Sequence, residues 1–125
     1  IVISLDGSRT LRMLKADAPE AVDPEMLSRG TQEQAYLAVR LAYILSHVEF
    51  AESLPILMDE VLVNFDRERA RRTAAEFARM TRGGNGKPQQ IIYFTCHPET
   101  VDILQEADRE ARLFLVEDGT LKESA

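Results

Sequence analysis

Residues 54–66 read L-P-I-L-M-D-E-V-L-V-N-F-D, and this stretch decides the fold of the chain. The unbroken apolar run at 56–58 is typical of a strand that is covered on both faces. Asp59 and Glu60 follow at the C-terminal end of that strand, where open α/β sheets bind their ligands. Ionised carboxylates beside a core need a partner, so the pair predicts a site for a divalent metal and a polarised water. The alternative is a strand that ends in solvent through two acidic residues.

Composition narrows the class of protein. The chain has 125 residues, of which 45% are hydrophobic and 29% charged, and this predicts one soluble globular domain. The net charge of −6 argues against a nucleic-acid-binding surface on this chain itself. No apolar run has the length of a membrane span, and the single cysteine favours a reducing, cytoplasmic setting. Because the sequence starts at Ile1 without an initiator methionine, we expect a piece of a longer protein.

Strand and helix patterns alternate along the chain. Short β-prone runs at 1–4 and 10–14 flank Asp6-Gly7 and predict a hairpin, and a polar loop with two prolines follows over 15–26. The later predicted elements are a helix from Gly30 or Thr31, a strand at 56–58, a helix over 66–81, a strand over 90–95, a helix over 98–107, and strands over 112–117 and 120–122. This order predicts an α/β fold, with a mostly parallel sheet, flanking helices and an N-terminal β-hairpin.

The first long helix begins near the sequence Leu27-Ser28-Arg29-Gly30. Apolar residues recur at helical spacing at positions 37, 41, 44, 45 and 48, and Thr31 with Gln34 fits a capping box. The unpaired N–H groups at such a start, together with the Ser28 hydroxyl, suit a bound phosphate. The alternative is an ordinary capped helix.

A cysteine and a histidine follow the strand over 90–95. Cys96 and His97 stand directly before a proline, which suits the first position of a helix. If the two central strands are parallel, His97 lies on the same edge of the sheet as Asp59 and Glu60. The alternative for His97 is a residue that caps the helix or lies at the surface. We expect Cys96 to be a small buried residue, since no second cluster of metal ligands is visible in the sequence.

Two other features have ordinary structural interpretations. Arginines cover the outer face of the second helix, and we interpret that face as solvated surface, with a partner-binding or phosphate-contacting role as the alternative. The segment Gly83–Pro88 differs from a phosphate-binding loop, because Thr81 stands in place of its first glycine and Pro88 in place of its Ser or Thr. We therefore interpret this segment as a flexible turn.

The motifs together resemble the C-terminal lobe of an ABC-type ATPase head of the SMC-like family. Leu27-Ser28-Arg29-Gly30 is similar to the signature motif L-S-G-G, and residues 56–60 are similar to the Walker B strand. Residues 61–66 resemble the loop that follows Walker B, and His97 resembles the switch histidine. The form L-S-R-G-T-Q-E-Q is similar to a bacterial branch of YhaN-type proteins.

The resemblance implies an ATPase that uses ATP and Mg²⁺. Asp59 would hold Mg²⁺ through a water molecule. Glu60 would polarise or orient the attacking water as a general base, and His97 would contact the γ-phosphate. Phosphoryl transfer needs mainly positioning and charge stabilisation, so residues from two subunits can divide the work.

Residues at two other places would act at a second head. Ser28, Arg29 and Gly30 would bind the γ-phosphate of a nucleotide held by the opposite head. Asn64 and Asp66 would belong to the loop at the dimer interface. Arg29 stands where the family has glycine, a departure that removes no charged catalytic group.

The resemblance also implies partners. Residues 1–125 would form one lobe, with the hairpin and loop over 1–26 and the motif-bearing part over 27–125. The sequence has no phosphate-cradling loop and no glutamine loop, so a separate N-terminal lobe would carry the Walker A loop. A second ATPase head, in a homodimer, would complete the site, and the chain alone would be inactive. DNA would be the partner in repair or chromosome maintenance, with no role for a membrane.

Two rival interpretations belong to other classes of protein. The first is a non-enzymatic protein-interaction module that retains the ABC head fold, and intact Ser28, Asp59, Glu60 and His97 count against it. The second is a metal-binding signalling domain with an acidic pocket. Such a domain needs its acidic pair after the first strand, and the order here does not fit.

Overall fold

A computed structural model of the chain describes residues 2–5, 11–14, 20–48, 54–84 and 86–124. The chain divides into two compact units, Ile1–Glu52 with Asn64–Asp66 and Ser53–Val63 with Arg67–Ala125. The strands are β1 (Val2–Leu5), β2 (Leu11–Leu14), β3 (Ile56–Asp59), β4 (Ile91–Phe94), β5 (Leu113–Glu117) and β6 (Thr120–Ser124). The α-helices are α1 (Arg29–Val48), α2 (Arg67–Thr81) and α3 (Pro98–Ala107). The predicted order of elements and the α/β class are confirmed.

The first unit opens with an antiparallel strand pair. β1 pairs with β2 from Val2 opposite Leu14 to Leu5 opposite Leu11, as the predicted hairpin requires. The Asp6-Gly7 turn lies outside the described residues. Within the described part of the predicted loop, residues 20–26, Val22 bridges to Met13 and a short 3-10 helix forms at Pro24–Met26.

The long helix α1 begins at Arg29, earlier than predicted. Ser28 therefore flanks the helix, and its hydroxyl oxygen lies 2.8 Å from that of Thr31. The side-chain amide of Gln32 donates to the Leu27 carbonyl at 3.0 Å. The predicted capping box at Thr31 is wrong, since Thr31 already lies inside the first turn. Among the described residues, neither α1 nor another helix is long and apolar enough to cross a membrane.

The second unit is built on a parallel strand pair. β3 and β4 run in register from Ile56 opposite Ile91 to Asp59 opposite Phe94. The two strands thus end at the same edge, which confirms the predicted parallel arrangement. The buried apolar side chains of this unit are Ile56, Met58, Leu62, Ala70, Ala74, Phe77, Ala78, Met80 and Ile103.

Helices α2 and α3 are joined near their C-terminal ends. The Thr81 hydroxyl donates to the Asp108 carboxylate at 3.3 Å, and Arg82 forms an ion pair with Asp108 at 3.2 Å. Burial alone would raise the pKa of Asp108, but the Glu110 N–H and the Arg82 guanidinium outweigh it, and the pKa is lowered. Asp108 is therefore ionised at neutral pH and able to hold both helices.

One face of the parallel pair is exposed. The side chains of Leu57, Ile92 and Phe94 are 67%, 39% and 51% exposed, and the alternation of the strands places them on one face. Helix α2 packs against the other face, where the rings of Phe77 and Tyr93 are 6.5 Å apart. The expectation of a strand covered on both faces is therefore wrong within this chain, because the described helices of this unit bury only one of its faces.

The C-terminal strands form a separate antiparallel hairpin. β5 pairs with β6 around Asp118-Gly119, and both turn residues have positive φ, of 48° and 71°. This is the backbone of a two-residue hairpin turn, as the sequence predicts. Within the part of the chain that the structure describes, β5 pairs with β6 and not with β4. The parallel sheet of this part therefore consists of two strands, β3 and β4.

Candidate functional site

The backbone places Glu60 just past the end of β3. Its N–H donates to the Phe94 carbonyl at 3.1 Å, which extends the ladder between β3 and β4 by one bond. Glu60 has a φ of +49°, in the left-handed region. For a residue with a side chain this conformation costs about 1–2 kcal/mol. Strained residues of this kind concentrate at functional sites, and here the strain accompanies a carboxylate that reaches the junction of β4 and α3.

The Glu60 carboxylate is held by two donors at that junction. The Cys96 N–H donates to Oε1 at 2.6 Å, and the Thr95 hydroxyl donates to Oε2 at 2.9 Å. The Cys96 N–H, above all, lowers the pKa of Glu60 from its usual value of 4.5. Glu60 is thus an ionised carboxylate at neutral pH. Because a low pKa weakens a general base, the geometry suits the orientation of a water better than the removal of its proton.

His97 lies beside Glu60, on the same edge of the strand pair. Its Nε2 is 3.9 Å from Glu60 Oε1, and its side chain is 50% exposed. His97 directly precedes α3, but its side chain makes no capping hydrogen bond. The expected proximity of His97 and Glu60 is therefore found, and the alternative of a capping imidazole does not hold.

Thr95 links these two residues, and sequence reasoning missed it. Its hydroxyl donates to Glu60 and accepts a hydrogen bond from the His97 N–H at 3.0 Å. One side chain thereby fixes the Glu60 carboxylate and the His97 backbone. A hydroxyl at the last position of the strand predicted over 90–95, two residues before a histidine, is a signal that could have drawn attention to it.

Asp59 ends β3 on the exposed face. Its side chain is exposed, and among the described residues no hydrogen bond or ion pair of its carboxylate is found. Mg²⁺ keeps several waters and binds few carboxylates directly. An accessible carboxylate next to Glu60 fits that mode of binding.

Cys96 is exposed, and the expectation of a small buried cysteine is wrong. A hydrogen bond between its thiol and the Glu60 carboxylate raises the pKa of Cys96. The thiol, the imidazole of His97 and the carboxylate of Glu60 offer donor atoms that all lie within 4.8 Å of one another.

Tyr93 anchors the loop that follows Glu60. Its hydroxyl oxygen accepts a hydrogen bond from the Leu62 N–H at 2.9 Å. Burial raises the pKa of Tyr93 to about 12, so the phenol stays neutral. The sequence gives no sign of this contact, because the two residues are 31 positions apart.

The signature-like residues lie in the first unit, together with Asn64. A Cβ atom built on Gly30 would lie 2.9 Å from the Asn64 carbonyl oxygen. The Asn64 side chain donates to Glu33 at 2.9 Å, and Glu33 also pairs with Arg29 at 3.0 Å. The start of α1 and the loop residue Asn64 are thus in direct contact, while the Arg29 side chain is 82% exposed.

Asp66 directly precedes α2, where the sequence predicts the helix to open. The predicted site residues, Asp66 included, fall into two sets. Ser28, Arg29, Gly30, Asn64 and Asp66 belong to the first unit, and Asp59, Glu60 and His97 belong to the second.

Comparison with known proteins agrees with this architecture. No protein-family model matches the chain. A solved structure described as "Structural biochemistry of ATP-driven dimerization and DNA stimulated activation of SMC ATPases" matches it with a TM-score of 0.64 at 18% identity. That match covers 91% of this chain and 62% of the other. The chain has the fold of an SMC ATPase head. The predicted resemblance to the C-terminal lobe of an SMC-like head is confirmed.

A similarity in sequence supports the same assignment. Over 78 residues the chain is 38% identical to the uncharacterized protein YhaN of Bacillus subtilis (strain 168). The aligned part is 62% of this chain and 8% of that protein. The chain therefore spans less than two thirds of both proteins, the SMC ATPase head and YhaN.

Proposed function

We propose that residues 1–125 are the C-terminal lobe of an ATPase head, and that the complete head binds and hydrolyses ATP with Mg²⁺. The head fold and the similarity to YhaN support this proposal. The observation that carries it is the placement of the Glu60 carboxylate 3.9 Å from the His97 imidazole, at the C-terminal edge of a parallel strand pair. This edge is where open α/β sheets place their ligands.

Each residue at this edge has a separate task. Asp59 would hold Mg²⁺ through water, and the bound ion would supply neutralisation of the phosphate charge. Glu60, fixed by Thr95 and the Cys96 N–H, orients the attacking water. His97 donates a hydrogen bond toward the γ-phosphate. These three side chains would be positioned before the nucleotide arrives, which lowers the barrier through orientation and charge stabilisation.

The first unit contributes residues for the nucleotide of an opposite head. Ser28 flanks the start of α1, which Arg29 and Gly30 open, and unpaired N–H groups at a helix start favour an anion. Asn64 and Asp66 form the loop at the dimer interface. The contact of Gly30 with the Asn64 backbone supports a shared surface, because a shift of either segment moves the other.

The exposed apolar face supports a covering partner. Leu57, Ile92 and Phe94 line this face, and an apolar patch of that kind favours a protein contact. An N-terminal lobe that carries the Walker A loop would pack on it. The second head would be another copy of the same protein.

DNA is a proposed partner of the complete protein, because the similar solved structure concerns DNA-stimulated activation of SMC ATPases. The net charge of −6 gives no support for DNA binding by this chain. We therefore assign DNA contacts to other parts of the complete protein, acting in DNA repair or chromosome maintenance in the cytoplasm.

Glu60→Gln in the complete protein tests the proposal. The amide cannot act as a carboxylate toward water, so ATP hydrolysis should fall by about 10²–10⁴-fold. ATP binding persists, and ATP-bound dimers should accumulate, as measured by size-exclusion chromatography with light scattering. Glu76→Gln is the matched control, since Glu76 pairs only with Arg79 on the surface of α2 among the contacts described.

Two results would contradict the assignment. Wild-type turnover in Glu60→Gln would remove Glu60 from the reaction. A wild-type protein that neither binds nor hydrolyses ATP would favour the non-enzymatic interaction module instead.

A further inference from the structure

Three different metal-binding groups converge at the junction of β4 and α3. Glu60 offers a carboxylate oxygen, Cys96 a sulfur and His97 an imidazole nitrogen, and these atoms all lie within 4.8 Å of one another. The Cys96 side chain is exposed, and that of His97 is half exposed, so solvent ions can reach both. Hydrolysis of ATP requires no sulfur at this place, so the thiol has no task in the proposed reaction.

The chemistry of these donors selects one class of cation. Thiolate and imidazole suit Zn²⁺ and related transition metals, whereas Mg²⁺ prefers an octahedral set of oxygens. A carboxylate, a thiolate and an imidazole are three of the ligand types that zinc uses in proteins. The fourth position would be filled by water, as in zinc sites that remain open.

The geometry requires only small movements. With metal–ligand bonds of about 2.0–2.3 Å, tetrahedral donors lie about 3.5 Å apart. Glu60 Oε1 and His97 Nε2 are already 3.9 Å apart. Shifts of about 1 Å in side chains that are exposed or half exposed would complete the set, and the backbone can stay in place.

Glu60 is also supported in the way that metal-binding carboxylates are. Its oxygens accept hydrogen bonds from the Thr95 hydroxyl and the Cys96 N–H. Each carboxylate oxygen has two lone pairs. The Cys96 thiol also hydrogen-bonds to this carboxylate, and that bond is given up when the thiolate binds a metal, so both oxygens then keep one lone pair for the ion. Outer-shell donors that orient a ligand raise metal affinity by about 10- to 100-fold.

We propose that Glu60, Cys96 and His97 form a binding site for Zn²⁺ or a similar thiol-binding divalent cation, distinct from the Mg²⁺ site at Asp59. The Cys96 thiol releases its proton to water as the thiolate binds the metal. The site has a consequence that rests on the proposed function. A zinc ion here engages both Glu60 and His97, so it inhibits ATP hydrolysis until a chelator removes it.

Co²⁺ added to the intact protein tests the site directly, in the presence of excess Mg²⁺. A thiolate bound to Co²⁺ gives a charge-transfer band in the near ultraviolet, and we expect one such site per chain, from which Zn²⁺ displaces Co²⁺. The band should disappear in Cys96→Ser. His97→Gln should weaken Co²⁺ binding by more than the roughly tenfold effect of losing an outer-shell partner. His47→Gln is the matched control, because His47 is the other histidine of the chain and lies on α1.

The outcomes separate this inference from the proposed ATPase function. Absence of the band, or its persistence in Cys96→Ser, would overturn the metal site even if the protein hydrolyses ATP. A band that depends on Cys96 and His97 supports the site even if no hydrolysis is detected. In an active protein, zinc inhibition should be present in the wild type and in His47→Gln and lost in Cys96→Ser. Thermal unfolding of each variant shows that it is folded, and the exposed position of Cys96 makes serine a mild replacement.

Discussion

Glu60 concentrates several unusual features in one residue. It combines a left-handed backbone, two hydrogen bonds from the junction of β4 and α3, and a histidine at 3.9 Å. The donors stabilise the ionised carboxylate and so lower its pKa. These hydrogen bonds to an ionised group act against the cost of the strained backbone. The same donors leave the carboxylate oriented for a water or a metal.

The lowered pKa of Glu60 predicts how stability depends on pH. A carboxylate whose pKa is lower in the folded state stabilises the fold above its unfolded value of 4.5. This contribution is lost as the pH falls through the folded pKa. We therefore expect Glu60→Gln to be less stable than the wild type at neutral pH, and the difference to shrink below pH 4.5. Urea unfolding of both proteins, from neutral pH to about 3, measures the difference. If the difference in unfolding free energy between the two proteins stays constant across this range, the ionised form of the Glu60 carboxylate does not stabilise the fold.

Helix α1 and the loop residue Asn64 act as one element. Gly30 lies in the first turn of α1, and its missing side chain is what allows the Asn64 carbonyl to approach. Glu33 strengthens the contact, because it accepts a hydrogen bond from Asn64 and pairs with Arg29. A glycine inside a helix normally lowers its stability by about 1 kcal/mol relative to alanine. The close approach of the loop explains why glycine is nevertheless suitable here.

The sign of the stability change in Gly30→Ala distinguishes helix propensity from the close approach of the Asn64 carbonyl. Helix propensity alone predicts stabilisation by about 1 kcal/mol. A Cβ atom 2.9 Å from a backbone oxygen forces the loop or the helix to shift, so we expect net destabilisation of about 1–3 kcal/mol. Chemical denaturation gives the sign. Ala38→Gly, on the exposed side of α1, is the control and should destabilise by propensity alone. A Gly30→Ala protein more stable than the wild type would refute the contact between Gly30 and Asn64.

Among the described residues of the second unit, one side of the parallel strand pair has no apolar cover. Leu57, Ile92 and Phe94 are exposed, while the opposite face holds the buried core of the second unit. Exposed apolar surface of this kind marks an interaction site. The proposed N-terminal lobe would bury it and would bring the Walker A loop to the edge that carries Glu60.

Leu57→Ala should change the stability of this chain and that of the complete head by different amounts. In this chain the side chain is 67% exposed, so its loss should change stability by less than about 0.5 kcal/mol. In the complete head, where the proposed lobe covers it, the same change should cost about 2–5 kcal/mol. Met58→Ala is the control, since Met58 is buried in the chain itself and should destabilise both. Equal effects of Leu57→Ala in the two proteins would exclude this face as the contact. Thermal and urea unfolding provide the measurement.

Local patterns were sufficient for most of the fold. The alternation of apolar runs predicted the parallel order, Pro98 marked the start of α3, and Asp118-Gly119 marked the final turn. These signals succeed because propensity and turn chemistry act over a few neighbouring residues. The placement of Glu60 and His97 at one edge followed from the parallel order, since both end neighbouring strands. The roles of all the predicted site residues stay predictions, those of Asp59, Glu60 and His97 as well as those of Ser28, Arg29, Gly30, Asn64 and Asp66.

Contacts between distant residues settled what the local pattern left open. The donors that hold Glu60 are 35 and 36 positions away, and Tyr93 lies 31 positions from Leu62. Such bonds depend on strand register, which no short window of sequence contains. The exposure of Cys96 and of one face of β3 likewise depends on which helices pack nearby. Amino-acid order alone set the elements and their succession, whereas the hydrogen bonds around Glu60 required the folded chain, because they join segments that meet only in three dimensions.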